Sequence, residues 1–391
     1  MSDVGARAQS ILEYLTGRRD AMVEMLVSLA CKESPTDEVA SQAAVQSELS
    51  EALSELGFRV RYVSGQKTGG HLFAVPEKRE RGRPAQLLIG HSDTIWPLGT
   101  LASMPVVVEN GSVRGPGTFD MKAGIVQGIF ALRALRDLAH EPPATPVWFI
   151  NSDEETGSPE SKRYVRLIAK HVVRTFVLEP ALGAHGHLKT VRKGFGRFKV
   201  RVHGKAAHSG LDPTGGASAI HELMHVVHRL HALTDLERGV TVNVGVVRGG
   251  TRVNMIAARA EAEVDVRVLS DSDGEAITKT IYGLEPQTPG TSIEIEGGIV
   301  IPPLQRTARN RLLWRAATEA GSRLGIELGE DMSGGGSDGN TTSQFTATLD
   351  GLGPRGGGAH ASHEHVEISG LVERAALLAE LLMSPVESGQ E

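Results

Sequence analysis

Apolar residues recur at helical spacing through the first 60 residues. Ile11, Leu12, Leu15, Met22, Met25, Leu26 and Leu29 form one series and Val39 to Leu56 a second, which predicts two helices. Short apolar runs follow, each closed by turn residues: QLLIG (86–90), PVWFIN (146–151) and RTFVLE (174–179). Helix-like segments lie between them, GIVQGIFALRALRDL (124–138) and SKRYVRLIAKHV (161–172). Apolar strands alternating with helices predict an α/β fold with a parallel or mixed sheet covered on both faces.

The pattern changes near residue 190. GRFKVRVHG alternates strictly, with Phe198, Val200 and Val202 on one face and Arg197, Lys199, Arg201 and His203 on the other. ASAIHELMHVVHRLHAL (217–233) is helical, and VTVNVGVV (240–247) and RAEAEVDVRVL (259–269) alternate again. A second helix, DGEAITKTIYGL (273–284), precedes the strand TSIEIEG (291–297). The order is β-α-β-β-α-β, a ferredoxin-like arrangement whose alternation leaves one sheet face packed and the other exposed or partnered. Helices resume at 307–324 and 368–384. The expected organisation is a mixed-sheet domain formed by 1–188 and 301–391, interrupted by an inserted sheet domain at 189–300.

Composition narrows the function classes. The chain has 391 residues and a net charge of −6, which argues against a nucleic-acid binder relying on a broad basic face. Cys31 is the sole cysteine, so an internal disulfide framework and a thiolate zinc cluster are both excluded. Apolar stretches are strand-sized rather than membrane-sized, and the N-terminus lacks the order of a signal peptide, so the expectation is a cytoplasmic protein with no membrane partner. Glycine is in excess, 46 of 391 residues, and concentrates in 110–117, 194–216, 249–250, 334–339 and 351–358.

Four chemically capable segments follow the apolar strands: His91-Ser92-Asp93-Thr94, Asp120 before a helix, Asp153-Glu154-Glu155, and Glu179-Pro180. In α/β sheets ligands bind outside the carboxyl ends of strands, so these residues are placed to converge at one rim. Each has a plainer explanation: a loop polar pair, a helix N-cap at Asp120, or acidic residues complementing a helix dipole. Recurrence at equivalent sheet positions favours a shared site. Imidazoles with several carboxylates suit zinc, cobalt, nickel or manganese better than calcium.

A competing motif is His221-Glu222-Leu223-Met224-His225, which matches HExxH. The same helix also carries His228 and His231, and no third ligand follows at the expected distance. Ile220, Leu223, Met224, Val227 and Leu230 predict a packing face that puts the histidines toward solvent.

The ordered segments HSDT, GPGTFDMKAG, SDEETGS, VLEP, GKAAHSG, GGTRVN, SGGGSDGN and GGGAHASHEHVEI resemble the motifs of the M20 family of di-metal peptidases, nearest its glutamate carboxypeptidase (carboxypeptidase G2)-like branch. The matches run from about residue 30 to 385. The resemblance implies a zinc-peptidase-like catalytic domain with an inserted lid and dimerisation domain, and two divalent ions, zinc before cobalt or manganese. It implies His91 and Glu179 on one ion, Glu155 and His360 on the other, and Asp120 bridging. Of His360, His363 and His365, the family pattern selects the one directly after the glycine turn with a glutamate four residues on, a position Glu364 fills. Asp93 would orient His91, and Glu154 would act as general base, moving a proton from the attacking water to the leaving nitrogen.

By the same resemblance His208 donates to the developing oxyanion, in family dimers from the partner subunit, with Asn254 lining that pocket. Arg267 resembles the residue that binds the substrate carboxylate, with Arg192 and Lys193 as weaker candidates. Backbone N–H groups of Gly334, Gly335, Gly336 and Ser337 are candidates for substrate oxygens. The implied activity is hydrolysis of an amide or peptide bond beside a free carboxylate, glutamate carboxypeptidase-like, by a homodimer joined through the insertion. An N-acyl-amino-acid deacylase or a dipeptidase is the alternative within the fold, and a non-enzymatic ligand-binding protein the alternative outside it.

Overall fold

The computed structural model describes residues 3–386, and the chain divides into two compact units. Among the described residues, unit 1 comprises 3–190, 306–333 and 337–386; unit 2 comprises 191–305 and 334–336. Unit 1 opens with α1 (Asp3–Thr16), α2 (Arg19–Ala30) and α3 (Gln42–Glu55). The first of the two expected N-terminal helices is therefore two, broken where Gly17 and Arg18 form a turn; glycine is a poor helix former.

Strands β1 (Phe58–Val63) and β2 (His71–Pro76) form a hairpin beside β3 (Ala85–His91). Then come the short β4 (Val107–Glu109) and β5 (Ser112–Arg114), α4 (Ala123–Asp137), β6 (Thr145–Asn151), α5 (Lys162–Ala169) and β7 (Arg174–Val177). β8 (Leu188–Arg192) leads into unit 2. After it, unit 1 continues with α8 (Ala308–Arg323), β13 (Glu330–Ser333), α9 (Asp338–Thr342), β14 (Ala347–Leu349), β15 (Gly356–Gly357), β16 (His365–Glu367) and α10 (Ile368–Leu382).

The main sheet has the order β1-β2-β6-β3-β7-β14 and is mixed: β1, β2 and β6 pair antiparallel, whereas β6, β3, β7 and β14 run parallel. Alternate residues serve opposite faces. Leu88, Trp148 and Phe176 join a large core with α4 and α10, while Leu87, Ile89, Val147, Phe149 and Val177 pack on the other face around Val165 of α5. A second sheet, β15-β16-β5-β4, is antiparallel throughout.

Unit 2 contains β9 (Gly194–His203), α6 (Ala219–His231), β10 (Thr241–Gly249), β11 (Arg259–Val268), α7 (Asp271–Tyr282) and β12 (Ser292–Ile301). Its sheet has the order β10-β11-β9-β12, all antiparallel, the ferredoxin-like topology expected from the alternation. Phe198, Val200 and Val202 are buried in one core with Leu223, Val226 and Leu230 of α6. The packed arc of α6 differs from expectation at two positions: Ile220 and Met224 are exposed, because the arc runs through Ala219, Leu223, Val226 and Leu230 instead. Gly334–Gly336 group with this unit through Arg192, whose Nη1 donates to the carbonyls of Gly335 and Gly336 at 3.1 and 3.0 Å.

Candidate metal centre

Three adjacent parallel strands of unit 1 end at one rim. β3 ends in His91, β6 runs into Asp153-Glu154-Glu155, and β7 is followed by Glu179. The short sheet delivers the other two residues: β5 leads into the loop bearing Asp120, and β15 into the turn bearing His360. His360 has φ +61°, a left-handed conformation that turns its ring back toward Asp120 and Glu155. The Asp120–Met121 peptide is cis.

These side chains form two triads that share Asp120. His91, Asp120 and Glu179 each offer a ligand atom, all within 4.8 Å of one another, and so do Asp120, Glu155 and His360. His91 Nε2 lies 3.2 Å from Asp120 Oδ1 and 3.4 Å from Glu179 Oε1. His360 Nε2 lies 3.1 Å from Glu155 Oε2 and 3.6 Å from Asp120 Oδ2. Neither His363 nor His365 joins either triad.

Burial alone would lower the pKa of His91, but hydrogen bonding to Asp120, Asp93 and Glu179 holds it well above the usual imidazole range. Hydrogen bonding to Glu155 raises His360 to about 9. Five carboxylates (Asp93, Asp120, Glu154, Glu155 and Glu179) stand against two imidazoles and one lysine, Lys189, whose Nζ is 4.0 Å from Glu179 Oε2. A partly buried cluster this rich in negative charge needs cations, and two imidazole–carboxylate triads are a donor set for divalent transition metals. The residues fit a two-metal centre.

Supporting contacts fix the donors. The closest partner of His91 Nδ1 is the Asp93 backbone carbonyl at 3.0 Å, with the Asp93 carboxylate at 3.5 Å, so orientation comes from the main chain of Asp93 as well as its side chain. That carboxylate accepts from Thr36 Oγ1 at 2.7 Å and from the N–H groups of Glu154 and Glu155 at 3.3 and 3.2 Å. It thereby holds the loop that presents both glutamates. Glu154 is half-buried, and burial together with the Glu179 carboxylate raises its pKa well above the ordinary value. Behind this loop Asp338 accepts from Asn151 Nδ2 at 2.6 Å and Ser158 Oγ at 2.7 Å. Gly124 and Gly353 both press on the Leu178 carbonyl, where a Cβ would collide, and so hold the chain that carries Glu179.

Glu364 was legible only as part of a family pattern, yet it organises the Asp120 loop. Its buried carboxylate accepts from the backbone N–H of Gly117 (3.0 Å), Phe119 (2.9 Å) and Asp120 (3.1 Å) and from Trp96 Nε1 (2.9 Å). Lys189 and Asp338 were not anticipated as site residues, because nothing local in sequence marks either.

The remaining candidates sit as follows. In unit 2 the exposed His208 ring accepts at Nδ1 from the N–H groups of Gly210 and Leu211, both at 3.2 Å, and Ser209 N–H bonds to Asn254 O at 3.1 Å. His208 and Asn254 thus share one loop pair. Arg267 forms a fork with Asp265 at 2.8 and 3.1 Å and lies over the Phe195 ring. Arg192 is buried and committed to the Gly335 and Gly336 carbonyls. In unit 1 Ser337 caps α9, and its hydroxyl donates to Asp350. In the HExxH segment Glu222 accepts from the backbone N–H groups of Gln287 and Thr288 and faces the protein, not a metal.

Comparison with known proteins places the sequence and fold among peptidases. Residues 190–284 match the peptidase dimerisation domain family of M20 peptidases. Carboxypeptidase G2 of Pseudomonas sp. (strain RS-16) is 28% identical over 390 residues, covering 96% of this chain and 92% of that protein. The fold is shared with the aminopeptidase PepT from Bacillus cereus ATCC 10987 (TM-score 0.80, 21% identity, 93% of this chain and 98% of that one). It is also shared with YXEP of Bacillus subtilis, a dinuclear metal-binding peptidase from the M20 family (TM-score 0.69, 17% identity, 94% and 98%).

Proposed function

We propose that this chain, 28% identical to carboxypeptidase G2 over 96% of its length, hydrolyses an amide or peptide bond beside a free carboxylate, with glutamate carboxypeptidase-like activity. One observation carries the reading: Asp120 is common to the His91/Glu179 and Glu155/His360 triads. His91 and Glu179 would hold one divalent ion, Glu155 and His360 a second, and Asp120 would bridge them, with zinc the first candidate. Two ions held this way polarise a scissile carbonyl and lower the pKa of an attacking water.

The chain's own groups supply proton transfer and orientation. Glu154 takes the proton from the attacking water and returns it to the leaving nitrogen; its raised proton affinity is the direction a general base requires. Asp93 holds the Glu154–Glu155 backbone, so base and ligand keep a constant offset. The two N–H groups donated to His208 Nδ1 leave its ring proton on Nε2, which makes the imidazole a donor for a developing oxyanion. Arg267 is the candidate for the substrate carboxylate and would exchange Asp265 for it.

Two features support a homodimer through unit 2. β10 is an edge strand of its sheet, and a groove of about 610 Å³ beside it is lined by Ile220, Met224, Val227 and Val247. A second copy pairing along β10 would cover that apolar strip. Val247→Glu with Met224→Glu should yield a monomer in sedimentation, and an unchanged dimer would reject this interface.

The test of activity is a chelator-controlled hydrolysis screen of N-acyl-glutamates, N-acetyl amino acids and dipeptides. Metal-dependent release of glutamate is the expected result. Cleavage confined to N-acetyl amino acids or dipeptides replaces the leading reading with the deacylase or dipeptidase one. Silence across the screen by metal-loaded protein rejects the enzymatic reading.

A further inference from the structure

Helix α6 carries His221, His225, His228 and His231, and none of them belongs to the unit 1 triads. Residues four apart stand one above the other on a helix, about 40° apart around the axis. The rings of His221 and His225 accordingly approach to 4.8 Å between centroids, nearly perpendicular. His221 is exposed and His225 half-buried, so solvent reaches the pair. His221 Nδ1 lies 3.4 Å from Thr288 Oγ1, in the loop after α7. That loop is anchored to the same helix by Glu222, which accepts from the Gln287 and Thr288 N–H groups. One nitrogen of His221 therefore has a protein partner while Nε2 is left for a ligand, the division of labour seen in metal-bound imidazoles. The His225 ring makes no hydrogen bond among the described residues. Glu222, turned inward, supplies no base, so the motif has the ligand pair of a zincin without its chemistry.

We propose that His221 and His225 form a second transition-metal site, binding one copper(II), nickel or zinc ion with water completing its coordination. Imidazole donors select these ions over magnesium and calcium, with copper(II) favoured by the Irving–Williams order. With two protein ligands the site is weaker than the carboxylate centre and fills when metal is abundant. The inference is independent of the proposed hydrolase activity.

The test uses the untagged full-length protein, dialysed to equilibrium against excess zinc, beside His221→Ala/His225→Ala and a control, His228→Ala/His231→Ala. The expected result is one zinc per chain fewer in the first variant only, with hydrolase activity unchanged. That variant should also lose retention on immobilised nickel, which the control keeps. Equal zinc content and equal retention in the wild type and the first variant would overturn the site. With copper(II), the signal lost in the first variant should show two nitrogen couplings by electron paramagnetic resonance; loss of a signal without nitrogen coupling would also overturn it.

Discussion

Glu364 Oε1 accepts the backbone N–H of Asp120 at 3.1 Å, so a residue four positions beyond His360 fixes the carboxylate common to both triads. The same side chain satisfies Gly117, Phe119 and Trp96. Glu364→Ala strands four donors, and at about 1–3 kcal/mol per buried unpaired group the metal-free protein should lose at least ~3 kcal/mol in urea unfolding. Metal affinity should fall roughly 10–100-fold in a competition titration. Wild-type stability and affinity in this variant would show that the Asp120 loop holds itself.

Glu154 and Glu155 are neighbours with different assignments. Glu154→Gln should keep bound metal while turnover falls about 10²–10⁴-fold, the usual contribution of a positioned proton acceptor. Elemental analysis and steady-state rates on one preparation decide it. Near-normal turnover sinks the base assignment.

Three histidines crowd the segment after the glycine turn, and only His360 reaches Glu155. His360→Ala should lose roughly one metal equivalent per chain, because a site stripped of an imidazole binds far more weakly. His363→Ala, an exposed side chain, should lose none. The reverse pattern in elemental analysis would reassign the ligand.

Burial raises the Asp338 carboxyl to about 6, against an unfolded value near 3.9. The fold thus prefers the protonated acid; this stabilisation is complete below about pH 4 and is lost as pH rises through 6. Asn at this position keeps a partner for both Asn151 and Ser158 and does not titrate. Asp338→Asn in metal-free protein should therefore gain stability relative to wild type between pH 4 and 7, by up to ~3 kcal/mol. Parallel pH–stability curves would show that Asp338 is already protonated at neutrality or is ionised without cost.

Glu222 separates the HExxH reading from the metal centre. Glu222→Gln should leave turnover unchanged while weakening the 287–288 loop by about 1–2 kcal/mol, seen as faster amide exchange there. Abolished activity would restore the zincin reading.

Much of this site was legible because its donors are local in a specific sense. His91, Glu155 and Glu179 each follow a strand whose apolar run is visible by itself, and the alternation of 196–204 reveals its buried face directly. The contacts that hold these donors in place act across long sequence distances. Glu364 reaches residues some 245 positions away, and Asp338 reaches Asn151 across 187. No periodicity announces such contacts, since they exist only after the loops are brought together. β1 carries little of the apolar signal that marks β3 or β6, because half of its residues are exposed. On α6 the apolar arc was misread at Ile220 and Met224, which lie beside the edge strand rather than in the core. A side chain that waits for another molecule resembles one that is buried.

The neck of unit 2 has an evolutionary meaning. β9 and β12 are neighbours, with Phe195 opposite Ile301, and Arg192 and Leu304 exchange backbone hydrogen bonds at 3.0 and 3.1 Å. The segments by which the chain leaves and rejoins unit 1 thus run side by side as one antiparallel stem. A recombination event that cuts there would remove or replace the whole cassette and need only a short turn to close the gap, with no rethreading of the strands that lead to the candidate ligands.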